Sequence, residues 1–143
     1  MKFFKPNIKK MLKNKDINGL IRALSYENYK NINIPLDAKD ALIDIGSPAV
    51  EPLIEAAKNT SELDLIRNTY IEILGLIGDI RAADFLLEVA LKNIESPSML
   101  TKLTKSNEAA KWFISIYSKF GRGLEATAII MEAYKNKENS RAS

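Results

Sequence analysis

The sequence predicts an all-α protein built from stacked pairs of helices, and three observations lead to that prediction. The apolar spacing of an amphipathic helix (i, i+3, i+4, i+7) recurs along the chain at intervals of 33, 33 and 43 residues. Glycine follows the first helix in three of the four pairs, where a helix commonly ends in a left-handed residue. The 143 residues are 46% hydrophobic and 27% charged, a composition that supports a buried core.

Two sets of apolar positions define the predicted core. The second helices of the pairs carry Ile17, Leu20, Ile21, Leu24; Val50, Leu53, Ile54, Ala57; Ala83, Leu86, Leu87, Ala90; and Ala126, Ile129, Ile130, Ala133. The first helices carry Ala38, Ala41, Leu42, Ile45; Tyr70, Ile73, Leu74, Ile77; and Phe113, Ile116, Tyr117, Phe120. Gly46, Gly78 and Gly121 follow these first helices directly. Each repeat is therefore expected to be a helix, a glycine turn and a second helix.

The spacing also predicts the bounds of eight helices. They are 6–14, 16–25, 35–45, 48–58, 62–77, 79–93, 98–120 and 122–137. The seventh accounts for the longest interval, and Ser96 and Pro97 are suited to its start. A loop around 96–107 is the alternative, favoured by the polar residues there.

One segment carries a family resemblance. The run from Leu74 to Leu86, LGLIGDIRAADFL, closely resembles the HEAT-like repeat of the phycobilisome-lyase type, and the pair Ile66-Arg67 fits the same repeat. The segment 45–54 resembles its shorter turn variant, whereas the last unit, around Gly121, lacks the Asp and Arg. The resemblance covers residues 16–136 and implies a right-handed α-α superhelix, an α-solenoid of about four HEAT-like helix pairs.

The chain is expected to form a single HEAT-like repeat domain, 1–143. Within it we expect a basic N-terminal capping helix at 1–15, repeats at 16–136 and a flexible tail at 137–143. Residues 1–15 contain six lysines and no acid, which would also suit contact with nucleic acid or anionic lipid. We favour capping, because the end of a solenoid must cover its apolar face.

The absence of cysteine and histidine excludes several function classes. The chain has no Cys and no His, so disulfides, thiol nucleophiles, imidazole bases and His-containing metal sites are excluded. No apolar stretch is long enough for a membrane span, and no secretory signal follows the first lysines. We expect a cytoplasmic protein that is not an enzyme, binds no metal or cofactor, and has no membrane partner.

Charge is distributed in bands. Residues 37–98 carry twelve acids and five bases, whereas 99–122 carry five bases and one acid. Nucleic-acid solenoids need positive charge along the binding face, so the acidic middle argues against nucleic acid. It favours a protein partner with a basic segment.

The binding surface is predicted on the second helices, on the side opposite the buried stripe. The candidate partner-binding residues are Arg22, Tyr26, Glu51, Glu55, Asp84, Phe85, Glu88, Lys92 and Met131. The four acids are predicted to form one continuous track, and the alternative is a solvated face without a partner. Phe85 and Met131 are apolar on this face, as contact residues often are; alternatively both are half-buried against neighbouring helices.

Other conspicuous residues are given structural roles. Asp79 suits a helix N-cap and Arg81 can satisfy carbonyls of the turn across repeats, so both join Gly46, Gly78 and Gly121 as turn residues. Trp112 is expected in the core with its N–H still reachable.

These observations predict a non-catalytic protein–protein interaction module or scaffold that holds its partner on the concave face. Two alternatives remain: a nucleic-acid-binding HEAT-like protein, and a subunit with a bilin-lyase-like role, the latter implied by the resemblance alone.

Overall fold

The computed structural model describes residues 5–27, 33–61, 64–94 and 107–142. In that part of the chain every regular element is helical, so the predicted all-α class is confirmed. The α-helices are α1 (Ile8–Lys13), α2 (Ile17–Ala23), α3 (Asn33–Ile45), α4 (Val50–Lys58), α5 (Leu65–Ile77), α6 (Ala83–Lys92), α7 (Glu108–Ser118) and α8 (Gly123–Ala142). Short 3₁₀ turns at Ser47–Ala49 and Ile80–Ala82 lead into α4 and α6.

The chain forms two compact units, Met1–Ile73 and Leu74–Ser143, where the sequence predicted a single domain. In the first unit, α2 packs against α1, α3 and α4, and α1 also contacts α3. In the second unit, α7 and α8 pack against each other and both contact α6. Consecutive helices thus supply most of the packing in each unit.

Both units have cores made of the predicted apolar positions. The largest side chains without exposure in the first unit are Leu20, Leu42, Val50, Leu53 and Ile73. Those in the second unit are Leu74, Leu86, Phe113, Ile116 and Ile130, with at most 1% exposure. Phe120 is an exception: it lies beyond the end of α7 and is 60% exposed, so its assignment to the core is wrong.

Three glycines turn the chain after helices. Gly46, Gly78 and Gly121 have φ values of +75°, +72° and +71°, a region that side chains with a Cβ rarely enter. At the second turn the Asp79 carboxylate accepts the backbone N–H of Arg81 at 2.9 Å. The Arg81 guanidinium forms a salt bridge with Asp79 at 3.0 Å. Both contacts lie within the turn, whereas the sequence suggested that Arg81 would bind carbonyls across repeats.

Arg67 and Asn107 are polar residues buried in the cores. Arg67 Nε donates to the carbonyl oxygen of Ala57 at 3.3 Å, in the last turn of α4. Asn107 has extended backbone, and its Oδ1 accepts the N–H of Ala110 at 3.0 Å as the N-cap of α7. Its Nδ2 donates to the carbonyl oxygen of Ala90 at 2.8 Å, which ties α7 to α6.

Two predicted helix bounds are wrong. The predicted continuous helix over 98–120 is wrong, because Asn107 has a non-helical φ of −135° and α7 begins after it. Residues 98–106 and the proposed start at Ser96 and Pro97 lie outside the described residues. The segment 137–142, expected to be a flexible tail, continues α8 to Ala142. Lys137 Nζ holds it by donating to the carbonyl oxygen of Leu91 at 2.7 Å.

The first half of α8 presents an exposed apolar side. Leu124 is 91% exposed and Met131 is 50% exposed, although Ala126 and Ile130 on the same helix are fully buried. The first half of α8 therefore carries apolar residues on its buried side and on its exposed side. The second half of the helix is polar.

Candidate functional site

The clearest candidate site is a groove of about 480 Å³ between α2 and α4 in the first unit. The lining residues are Asn18, Ile21, Arg22, Glu51, Pro52, Glu55, Ala56 and Asn59. Predicted contact residues Arg22, Glu51 and Glu55 are all among them. The structure thus brings three of the nine candidate residues into one concave surface.

The acidic wall of the groove follows from the amphipathic pattern of α4. Val50, Leu53, Ile54 and Ala57 are buried, so Glu51 and Glu55, one turn apart, are left on the exposed side. Glu51 lies in the first turn, where a carboxylate is stabilised by the helix dipole. Pro52 is tolerated beside it because N–H groups of the first turn have no partner within the helix.

The floor of the groove is apolar. Ile21 is 8% exposed, and Pro52 and Ala56 are half-buried. The sequence analysis did not single out Pro52 or Ala56, although they repeat the one-turn spacing of the two glutamates one residue later. A segment that enters this groove would meet apolar carbon below and charge on the walls.

The charges of the groove are not neutralised locally. Glu51, Glu55 and Arg22 are exposed, and within the described residues none of their side chains forms an ion pair or a hydrogen bond. Asn18 and Asn59 add amide donors and acceptors at the edge. The groove can therefore supply two carboxylates, one guanidinium and two amides to a ligand.

Tyr26 is not part of this groove. It was grouped with Arg22 by helical spacing, but α2 ends at Ala23 and the chain has left the helix before Tyr26. Its half-buried side chain lines a different cavity of about 650 Å³, together with Ser25 and Asp64. The predicted placement of Tyr26 beside Arg22 on α2 is wrong, because the helical period does not extend to it.

In the second unit, α6 presents Asp84, Glu88 and Lys92 on its exposed side. Lys92 Nζ lies 4.0 Å from Glu88 Oε1, one turn away. Phe85 is 6% exposed and packs in the core, so its side chain is not on the exposed contact face where it was predicted and is covered even more than the half-buried alternative. The reason is that α6 buries a broad face, which includes Val89 as well as the predicted stripe.

Met131 is on an open surface of α8. It lines a shallow cavity of about 650 Å³ with Ala128, Glu132 and Lys135, among other residues of this helix. Its exposure of 50% agrees with the predicted contact face. The predicted track that would join Glu51 and Glu55 to Asp84 and Glu88 stays a prediction.

Trp112 differs from its predicted environment. Its Nε1 is buried and has no hydrogen-bond partner among the described residues, whereas we expected a reachable N–H. The ring lies against the backbone of Gly75, and the Lys111 ammonium is 4.7 Å from the ring centroid.

Residues 5–27, 33–61, 64–94 and 107–142 lack a metal-binding cluster and a membrane-spanning helix. These residues contain no group of three or more acidic side chains arranged to hold a metal ion. None of their helices is long and apolar enough to cross a membrane.

Comparisons with protein-family models, with curated proteins and with solved structures gave no match.

Proposed function

We propose that this chain is a non-catalytic protein-interaction module whose α2–α4 groove binds a basic segment of a partner protein. The observation that carries the proposal is the pair Glu51 and Glu55, which have no ion-pair or hydrogen-bond partner among the described residues and lie above an apolar floor. A lysine or arginine has an apolar stem and a charged end, so one such side chain can use both features. Arg22 adds specificity by favouring an acidic residue beside the basic one.

The chemistry of the groove supports binding rather than catalysis. Its lining includes no hydroxyl, thiol or imidazole side chain that could act as a nucleophile. The carboxylates also disfavour nucleic acid in this groove, since they would repel phosphate.

The finer fold and the location are part of the same proposal. The recurrence of helix, left-handed glycine and helix supports HEAT-like repeats of the phycobilisome-lyase type in a right-handed α-α superhelix. Absence of cysteine is consistent with a cytoplasmic location.

The test uses two double variants with the same change of charge. Glu51→Lys with Glu55→Lys reverses the charge on the wall of the groove. Asp84→Lys with Glu88→Lys reverses the charge of an exposed acidic pair with the same spacing on α6. Each protein is used to capture partners from lysate of the source organism, and captured proteins are quantified by mass spectrometry. We expect the groove variant to lose a partner that the parent and the α6 variant retain. Circular dichroism should show unchanged helicity, because exposed substitutions cost within about 0.5 kcal/mol.

Three results would contradict the proposal. Undiminished capture by the groove variant would show that the partner binds elsewhere. Equal loss in both variants would show that the α2–α4 groove alone does not hold the partner. Salt-sensitive binding of nucleic acid, or a bilin that co-purifies with the parent chain, would favour the two alternatives.

A further inference from the structure

A second groove in the first unit lies between α1 and α3 and has a different composition. It measures about 380 Å³ and is lined by Ile8, Lys9, Leu12, Asp37, Asp40, Ala41 and Asp44. Ala41 is buried, and Ile8 and Leu12 are half-buried. The groove therefore has an apolar floor, one wall with three aspartates from α3 and one lysine on the opposite wall.

The apolar floor exists because α1 is too short to bury its own stripe. The helix has six residues, and none of them is buried although it contacts both α2 and α3. Ile8 and Leu12, one turn apart, consequently keep part of their surface open beside Ala41. Apolar side chains that stay partly exposed in a groove are typical of a surface where a partner docks.

The aspartates form a straight row along α3. Asp37, Asp40 and Asp44 are spaced i, i+3 and i+7, so they span two turns, about 10.5 Å at 1.5 Å per residue. Within the described residues none of the three has an ion pair or a side-chain hydrogen bond. Lys9 lines the same groove, and no ion pair links it to them. This wall is thus complementary to a row of positive charge.

The position of this row is unfavourable for the helix itself. Asp44 is the penultimate residue of α3, and no basic residue is present in the last turn. The negative end of the helix dipole disfavours an acid there. A residue that weakens its own helix without a local gain is more often found at functional sites than elsewhere.

We propose that the α1–α3 groove is a second docking surface, which binds an amphipathic helix of a partner protein. Basic residues along one edge of that helix pair with Asp37, Asp40 and Asp44. An apolar side chain between them enters the floor beside Leu12, and an acidic residue on the other edge faces Lys9. This proposal does not depend on the function of the α2–α4 groove.

Charge and shape both favour this occupant. A nucleic acid would place phosphate against three aspartates, and an anionic membrane would be repelled by the same wall. A helix matches the row because its own residues at i, i+3 and i+7 lie on one side with the same rise. Apolar contact on the floor then supplies affinity that charge pairs alone would not provide.

The probe is a helical peptide with three arginines at i, i+3 and i+7, a row of leucines beside them and one glutamate on the far edge. Binding to the full chain is measured by calorimetry and by changes in backbone amide NMR signals. We expect changes centred on Leu12 and Ala41, and an affinity that falls as salt increases. Asp40→Asn with Asp44→Asn should weaken binding about tenfold while raising the melting temperature, since it removes acids near the helix C-terminus.

The matched control is Glu108→Gln with Glu132→Gln, which neutralises two exposed acids of the second unit and should leave peptide binding unchanged. A peptide with serine in place of leucine should bind at least tenfold more weakly. Equal affinity of the parent and the Asp40→Asn, Asp44→Asn variant would overturn the proposal, as would loss of binding in the control alone. Self-association of the parent that this variant abolishes would also overturn it, because a second copy would then occupy the groove.

Discussion

The indole ring of Trp112 on α7 lies directly against Gly75, near the end of α5. Both residues belong to the second unit. A Cβ atom at position 75 would overlap Cδ2 and Cγ of the ring and lie 2.5 Å from Cε3. Gly75 is inside α5, where glycine normally costs about 0.5–1 kcal/mol relative to alanine. Glycine at position 75 therefore lowers the helix propensity of α5, but it lets the large ring approach the helix backbone.

Gly75→Ala should destabilise the protein in spite of the better helix propensity of alanine. Insertion of a methyl group into a packed contact typically costs about 1–3 kcal/mol, more than the propensity gain. The measurement is chemical denaturation with circular dichroism. With Trp112→Leu already present, the same Gly75→Ala change should be neutral or stabilising, because the ring is gone. Additive effects of the two changes would show that they do not meet.

Leu53→Ala and Leu86→Ala should each lower the free energy of unfolding by about 2–5 kcal/mol, because both side chains are fully buried. Glu55→Ala is the control for α4, since it is exposed and unpaired within the described chain; it should stay within about 0.5 kcal/mol of the parent. Similar losses in all three variants would mean that the helix faces are assigned wrongly.

Asn107→Ala should cost about 1–3 kcal/mol, because it removes the cap of α7 and leaves the buried carbonyl of Ala90 without its side-chain donor. Asn107→Ser should lie between the parent and the alanine variant. Serine keeps the cap acceptor, but its shorter side chain cannot provide the same donor to Ala90. Thermal unfolding of the three proteins distinguishes these roles, and a serine variant as unstable as the alanine variant would make the cap unimportant.

Tyr70 should make the protein lose stability in alkali. Burial raises the pKa of its phenol above the ordinary value of 10.0, and hydrogen bonds with Ser25 and Thr60 partly offset that rise. The unfolded chain therefore releases this proton at lower pH than the folded chain does. The stabilisation is complete below pH 10 and is lost as pH rises through the raised pKa of the folded state. Tyr70→Phe should flatten this part of the stability profile, measured by denaturation between about pH 8 and pH 11; an unchanged profile would contradict the assignment.

Helical periodicity predicted the cores because burial on a helix follows the spacing of side chains along it. It failed where a helix ends or where its buried face is broad. Tyr26 lies after the last residue of α2, so the spacing that grouped it with Arg22 no longer applied. Phe85 adjoins the predicted stripe of α6, and the second unit covers it as well.

Contacts between distant parts of the chain could not be predicted in the same way. The sequence identifies Asn107 only as one of the polar residues that favour a loop. Its hydrogen bond to Ala90 joins residues 17 positions apart, which helical spacing does not predict. The match of Gly75 to Trp112 also depends on tertiary packing. The α2–α4 groove was partly predictable, since Glu51 and Glu55 follow from the pattern of α4, whereas its floor required the packing of two helices.

Trp112 also provides an intrinsic fluorescent probe, because its indole is half-buried and its Nε1 is fully buried. It is the sole tryptophan of the chain, and it belongs to the second compact unit. Its emission therefore follows the unfolding of that unit, while the far-ultraviolet dichroism follows the helices of both. Coincident transitions in the two signals would indicate cooperative unfolding of the whole chain, and separate transitions would give the stability of each unit from one sample.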